Sequence, residues 1–411
     1  MNLVVIGAQW GDEGKGKVVD FLSEQAATII RFSGGANAGH TIVHGDTTYK
    51  LHLIPSGIIY PHTEAILGSG MVIDLESLKQ ELDTISAQGV SWEGRLFISD
   101  RAHIVLPSYK KIDIEIDKKR LRPIGTTGRG IGVTYAHKAG RDGYRVADIL
   151  SRNDSWVHSL NAEDQEYITS MREFIRPMAI DLVEYNQKIT GKKVLLEGAQ
   201  GALLDLDAGT YPFVSSGTSG AAGAATGGGL GPRAINGVLG VCKAYSTRVG
   251  NGPFPSQFDP ENEGELEQYI RDVGREYGVT TGRPRRCGYL DLVALRYACR
   301  VNSIDRMALT HLDVYDSLET LSVCIAYTIH GEEITHFPAD IALLEQAKPV
   351  LVELPGWSES IGDVRDFDAL PKNARDYVSY VEKYIQTPIS IIGVGYERQQ
   401  TITRENPWTQ Y

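Results

Sequence analysis

Near the N-terminus a short apolar run, NLVVIG (2–7), ends in glycine, passes into the glycine-rich stretch GDEGKGKVV (11–19), and continues as VVDFLSEQ (18–25), whose apolar spacing suits a helix. Strand, glycine loop, helix is the unit from which parallel sheets with helices on their faces are built. The order recurs. Buried-strand candidates follow at ATIIRF (27–32), RLFIS (95–99), KVLLEG (193–198), GVLGVC (237–242) and RMALTHL (306–312), alternating with helical stretches such as DIEIDKKR (113–120) and REFIRPMAIDLVEYNQ (172–187). The expected fold is α/β, with a large, mostly parallel central sheet flanked by helices. At 411 residues the length alone allows two or three domains, or one large α/β domain with insertions.

The first loop is nearly a phosphate-binding loop. Gly11, four residues, then Gly16 and Lys17 satisfy G-x-x-x-x-G-K, yet Val18 stands where a Ser or Thr would supply a hydroxyl to Mg²⁺. Lys15 and Lys17, with the backbone N–H groups of the turn and the following helix N-terminus, make a polyphosphate site. A hard cation bridging those phosphates needs oxygen ligands, and Asp12 is the candidate. A carboxylate beside phosphates is otherwise repulsive, so Asp12 points to a metal or a proton-transfer role. The plainer reading is a surface turn with solvated charges.

Three further stretches carry chemistry. SGGANAGHT (33–41) offers Asn37 and a candidate acid/base or electrostatic catalyst, His40, among glycines that let backbone approach a ligand. IGTTGRGIG (124–132) brings Thr hydroxyls and Arg129, and KAGRDGYR (138–145) brings Arg141 and Arg145, side chains suited to phosphate or carboxylate. VTTGRPRRCGYLD (279–291) packs Arg283, Arg285 and Arg286 into a Gly/Pro-stiffened loop that suits a dicarboxylate or phosphate better than a core. Structural histidines and solvated surface arginines are the bland alternatives. SGTSGAAGAATGGGLGP (216–232), with seven glycines in seventeen residues, fits a flexible linker about as well as a ligand loop by composition; its position after LLEGAQGALLDLDAGTYP (195–212) favours the loop.

With 41 Lys+Arg against 52 Asp+Glu the net charge is -11, which disfavours a general nucleic-acid or anionic-membrane surface. Neither a signal peptide nor an apolar span of membrane length is present, so a soluble, cytoplasmic protein is expected. Cys242, Cys287, Cys299 and Cys324 lie far apart with no C-x-x-C pair, and read as free thiols of a reducing cytosol.

Taken together, QWGDEGKGK, GGANAGHT, GTTGRGIG, EGAQGALLDLDAGTYPFV, KAYSTRVGNGPFP, TTGRPRRCGYLD and PGWSES occur in the order found in adenylosuccinate synthetase, and the sequence resembles that family over nearly its whole length. The resemblance implies one large α/β domain over 1–411, P-loop-NTPase-like with smaller subdomain insertions. It implies condensation of IMP with L-aspartate at the expense of GTP, with one Mg²⁺ per subunit bridging the GTP phosphates, through 6-phosphoryl-IMP. Asp12 would remove the N1 proton of IMP and His40 would stabilise charge between O6 and the γ-phosphate; Asp12 and the Gly39 carbonyl would bind Mg²⁺. GTP would be held by Gly11, Asp12, Glu13, Gly14, Lys15, Gly16, Lys17, Gly39, His40 and Thr41, with His311, Asp313, Gly393 and Gly395 at its base. IMP would fall to Asp12, Asn37, Thr127, Gln200, Ser215 and Arg283, with Arg141 reaching in from the second subunit of a homodimer. The aspartate carboxylates would fall to Thr281, Arg283 and Arg285, with Arg248 and Val249 lining the same pocket.

Two departures lie at the donor base. The family's T-K-L-D appears as Thr310-His311-Leu312-Asp313, and its S-x-G-P as Gly393-Val394-Gly395-Tyr396. They keep open a paralogue with the same ligase chemistry but a changed donor (ATP) or acceptor, such as a 2-aminopurine nucleotide. A nucleotide switch without ligase activity is the third reading; Asp12, His40 and the Arg283/Arg285 pair argue against it, since a switch needs no aspartate pocket.

Overall fold

The computed structural model describes residues 1–45, 47–153, 155–278, 282 and 284–409. Its central feature is a ten-stranded sheet whose strands run, edge to edge, Thr401–Thr403, Ile389–Gly393, Arg306–Thr310, Gly237–Lys243, Asn2–Gly7, Val194–Gly201, Thr28–Arg31, Glu64–Leu67, Leu96–Ser99 and Ala179–Ile180. Thr28–Arg31 lies parallel to both Val194–Gly201 and Glu64–Leu67, and Arg306–Thr310 parallel to both Gly237–Lys243 and Ile389–Gly393; the Thr401–Thr403 edge is antiparallel. These strands are buried nearly throughout, as sheets covered on both faces require. The α/β expectation is met, and each sequence-predicted strand is present to within a few residues.

The stretch 172–187, read as one helix, is not one. The helix Ala162–Ile175 gives way to a 3₁₀ turn, Arg176–Met178, then the edge strand Ala179–Ile180, and a second helix, Leu182–Lys188. Pro177 has no N–H and its ring would meet the preceding turn, so the helix stops there. Asp181 restarts it, its side chain accepting from Val183 N at 2.9 Å and Glu184 N at 3.3 Å.

By internal contact the chain falls into two compact units. One comprises Met1–Val4, Val19–Ala199 and Ser215–Asn236; the other Val5–Val18, Gln200–Val214 and the residues from Gly237 onward. The first unit has a core of Ile42, Leu51, Val72, Leu78, Leu82, Ile98 and their neighbours. The second carries an additional four-stranded sheet of Leu290–Asp291, Leu318–Ile329, Glu332–Ile334 and Lys348–Trp357, packed under Val293, Cys324, Tyr327 and Leu344.

The glycine-rich run 216–232 is packed structure in the first unit. It contains the short helix Ala222–Gly227, and the Gly227 carbonyl accepts from Ser69 N at 2.7 Å. A Cβ at Gly227 would run into the carbonyl oxygen of Phe32, and one at Gly228 would sit 2.6 Å from Ala224 O and 2.8 Å from Leu196 Cδ2. At Gly227 and Gly228 glycine is set by close approach to neighbouring backbone, not by the freedom a linker needs. Gly227→Ala should therefore destabilise the protein by about 1–3 kcal/mol through overpacking, read as a lower urea midpoint at unchanged slope; an unchanged midpoint would mean that the contact yields freely.

Candidate active site

In the second unit the helix Lys15–Ser23 begins in the glycine loop itself, three residues earlier than its apolar spacing suggests. Gly11 and Gly14 take φ of +88° and +81°, and Asp12 takes +59°, so the loop folds back on itself. Its two carboxylates have opposite fates. Glu13 is fully buried and turns inward: Oε1 accepts from Gln9 N at 3.1 Å and Gly11 N at 2.9 Å, and Oε2 from Lys15 Nζ at 2.6 Å. Space for it exists because Gly7 and Gly201 have no Cβ; either would collide with the carboxylate. Glu13 thus takes up donors of its own loop. Asp12 stays at the surface and meets the guanidinium of Arg285, Nε to Oδ2 at 2.9 Å.

Lys17 turns to the C-terminal loop, its Nζ donating to Gly395 O at 2.7 Å and Gln400 O at 2.9 Å. Burial pushes its ammonium down to about 8, against the opposing field of Asp313. His311, at φ +57°, leaves the strand Arg306–Thr310 and caps the 3₁₀ turn that carries Asp313. A Cβ at Gly14 would lie 3.6 Å from His311 Nε2, so the histidine stands over the glycine loop. Burial pushes its imidazole down to about 4, with the field of Glu276 opposing and those of Lys243, Lys17 and Arg285 assisting; the ring is neutral near pH 7. Burial pushes the Asp313 carboxyl up to about 6, and its buried Oδ1 has no hydrogen-bond partner among the described residues. Gly393 and Gly395 are packed against Thr310 and Lys17, and against Gln400, respectively.

Arg248 is 1% exposed; it donates to Pro253 O at 2.6 Å, to Thr210 Oγ1 and Phe213 O at 3.0 Å each, and lies over the Trp10 ring. Those contacts give it a structural task, while the neighbouring Val249 side chain is exposed. Gln200 adopts φ +57° at the end of the strand Val194–Gly201. Thr281 and Arg283 lie outside the described residues.

In the first unit His40 opens the strand His40–His44, which pairs with Thr47–Leu51 and sets Thr41 opposite Lys50. His40 Nε2 lies 3.8 Å from Oε1 of Glu197, a buried carboxylate that also accepts from Ser56 N at 3.0 Å and Ser56 Oγ at 3.1 Å. Beneath them Arg31, fully buried, donates to the carbonyls of His52 and Gly35, with Glu197 and Glu81 as counter-charges that oppose the effect of burial. Asn37 and Ser215 are half-buried, while Gly39, Thr127 and Arg141 are exposed. Arg141 stands at φ +70° on the C-cap of the helix Ile131–Gly140.

Glu197, Lys243, Tyr245 and Glu276 were not singled out from sequence. Glu197 sits within EGAQG beside the expected Gln200, and Glu276 stands just ahead of Thr280-Thr281-Gly282 in sequence; position next to a stretch expected to bind a ligand was the one available signal. Among the described residues no group of three or more His, Cys, Asp or Glu side chains could hold a metal, and no helix is long and apolar enough to cross a membrane. All four cysteines are buried free thiols.

A strand–glycine loop–helix on a large, mostly parallel sheet, with a loop carboxylate bound to a guanidinium, defines a nucleotide-binding α/β enzyme. The adenylosuccinate synthetase family model matches residues 4–402. Adenylosuccinate synthetase of Desulforamulus reducens is 46% identical, covering 98% of this chain and 99% of that protein, and that of Synechocystis sp. is 47% identical, covering 99% and 96%. The structure of fully ligated adenylosuccinate synthetase from Plasmodium falciparum superposes with a TM-score of 0.91 at 38% identity, covering 98% of this chain and 99% of that one. A cyanophage S-2L succinoaminodeoxyadenylate synthetase bound to dGMP and dATP shares the fold, with a TM-score of 0.65 at 19% identity over 98% of this chain and 95% of that one. The chain belongs to the adenylosuccinate synthetase family, ligases of purine biosynthesis.

Proposed function

We propose that the protein condenses IMP with L-aspartate, consuming GTP and giving adenylosuccinate, GDP and phosphate. The observation that carries this reading is the contact of Asp12 with Arg285 at 2.9 Å, which sets a candidate base from the phosphate loop against a candidate carboxylate binder. Nucleotide hydrolysis alone calls for no such pair. In this reading Asp12 takes the N1 proton of IMP, O6 attacks the γ-phosphate, and His40 stabilises the charge that develops there. The amine of L-aspartate then displaces phosphate from C6 of 6-phosphoryl-IMP. Mg²⁺ bound with the nucleotide would neutralise phosphate charge. Asp12, the exposed carboxylate of the loop, fits that ion, because Mg²⁺ takes few protein ligands and completes its shell with phosphate oxygens and water. Buried free thiols suit a cytoplasmic location.

The expected result of a spectrophotometric assay is that adenylosuccinate forms only when IMP, L-aspartate, NTP and Mg²⁺ are all present. Asp12→Asn and His40→Ala should each lower kcat by at least ~10²-fold. Full-rate NTP hydrolysis without IMP or aspartate would sink the reading, and product from a 2-aminopurine nucleotide in preference to IMP would reassign the acceptor.

A homodimer in which Arg141 completes the partner's IMP phosphate site is supported by the exposure of Arg141 and of Ile112, Ile114 and Ile116 along the helix Pro107–Lys119. Arg141→Leu should raise the KM for IMP, by about 1.5–3 kcal/mol for a lost charged hydrogen bond. Mixing that variant with Asp12→Asn should restore activity through hybrid dimers; no restoration after verified subunit exchange would rule out a shared site.

GTP as donor is supported by Asp313. Its unpartnered Oδ1 would accept from guanine N1–H, with the exocyclic N2–H₂ as the second donor. Adenine offers no such pair of donors, and leaving the carboxylate unpaired costs about 1–3 kcal/mol. Neutral His311 adds an aromatic face that tolerates either purine. The expected kcat/KM ratio of GTP to ATP is at least ~10, rising in His311→Lys. A preference for ATP in the native protein would mean that Asp313 does not read the base.

A further inference from the structure

Glu276 sits at the centre of a buried ionic network in the second unit, and nothing in the chemistry above gives it a task. Its side chain is 1% exposed. Oε1 accepts from Lys243 Nζ at 2.7 Å and from Tyr245 OH at 2.6 Å; Oε2 accepts from Arg285 Nη1 at 2.6 Å. The backbone N–H of Arg285 also donates to the Glu276 carbonyl at 2.9 Å, so residue 276 pins the arginine at two points. Lys243, itself 0% exposed, is held from the other side by Thr247 Oγ1 at 2.6 Å. Were Glu276 to turn away, Lys243 would be left as an unpaired buried charge, which is strongly unfavourable. Burial alone would favour the neutral acid, yet Lys243, His311 and Arg285 hold its carboxyl down to about 2, so it stays anionic.

The guanidinium of Arg285 is therefore shared by two carboxylates of very different standing. Glu276 is locked by its other two donors, whereas Asp12 is 35% exposed. A carboxylate arriving from solvent can compete at the Asp12 side; it cannot displace Glu276. We propose that Glu276 is a positioning residue that presets Arg285 to receive a carboxylate of the amino-acid substrate. This rests on the reading of Arg285 as an L-aspartate ligand. Glu276 touches no substrate; it fixes where the guanidinium points, so that binding pays little to order a long, flexible side chain.

The test compares Glu276→Gln, Glu276→Asp and Tyr245→Phe in the full-length protein, with thermal melts to confirm folding. Glu276→Gln should raise the KM for L-aspartate about tenfold or more while the KM values for IMP and GTP stay within about twofold, because only one substrate loses its preset partner. Glu276→Asp, which keeps the charge but draws Arg285 back, should show the same selectivity at smaller size. Tyr245→Phe removes one donor to Glu276 but keeps Lys243 on the same oxygen and the pair with Arg285, so it should raise the KM for L-aspartate less than Glu276→Gln does and leave the KM values for IMP and GTP within about twofold. If Glu276→Gln fails to fold, Glu276→Asp carries the test. A folded variant with an unchanged KM for aspartate, or with all three KM values raised together, would overturn the proposal. Calorimetric titration with succinate, a dicarboxylate without the amine, reads the same effect without turnover, and weaker binding to Glu276→Gln than to the native protein is expected. Native protein that makes no adenylosuccinate but binds succinate in a Glu276-dependent way would overturn the assigned reaction and leave the positioning role standing; native protein that binds neither succinate nor L-aspartate would overturn both.

Discussion

The phosphate loop keeps its shape because a carboxylate is buried inside it. Glu13 gathers the N–H groups of Gln9 and Gly11 and the ammonium of Lys15 around one point with no access to water. A hydrogen bond to a charged group in such a place is strong, and removing its partner leaves a costly unsatisfied group. The loop's backbone cannot open without exposing that cost. The glycines at 7 and 201 are therefore as much part of the loop as those within it, since each leaves the volume that Glu13 fills. With its neighbour held inside, Asp12 is forced to the tip at φ +59°, facing outward and available to chemistry.

A second constraint follows from where Asp12 is sent. Its partner Arg285 stands just ahead of the short strand Arg286–Gly288, and a long, flexible side chain there is not oriented by the backbone alone. Orientation comes instead from Glu276, and Glu276 takes its own orientation from Lys243 and Tyr245, near the end of the buried strand Gly237–Lys243. The chain of contacts runs from a buried sheet strand through two buried charges to the largely buried guanidinium of Arg285. Buried ion pairs add little net stability over apolar packing, but they fix geometry, and fixed geometry is what a polar site requires.

The sequence carried the architecture well because buried parallel strands are written as short apolar runs and their loops as glycine clusters. Asp12 was legible for a physical reason: a carboxylate in an anion-binding loop is an anomaly that demands an explanation. Glu13, one residue on, presents the same anomaly, and spacing alone does not tell that it faces inward. The stretch 172–187 was misread because helical periodicity runs through it on both sides of Pro177, and the proline's local effect overrode the pattern. Sequence does not tell that Arg248 is buried, with its Nη1 donating to Pro253 O and its Nη2 to Thr210 Oγ1 and Phe213 O. Lys243 escapes sequence reading, and Glu276 is betrayed only by its position, because a buried charge looks like a surface charge until its partner is known.

The two departures at the positions proposed to meet the donor base can be weighed on the same terms. The loop from Gly393 to Gln400 is tied to the phosphate helix by Lys17, and the turn bearing Asp313 is tied to the phosphate loop by Thr310, whose Oγ1 donates to Glu13 O at 2.7 Å. The groups that would face the base and those that would face the phosphates thus share one frame, built from backbone carbonyls that do not depend on the side chain at 311 or 396. Tyr396 is exposed and stacked under Arg275, whose guanidinium lies 4.6 Å from the ring centroid. It adds a wall without altering the frame. His311 differs from a lysine in carrying no charge near pH 7, so Asp313 loses one neighbouring cation but keeps Lys17 and Arg275 to oppose its burial. In the proposed reading, substitution at these positions would change what touches the face of a base; the carboxylate that would read its edge, and the backbone that holds that carboxylate, would be left as they were.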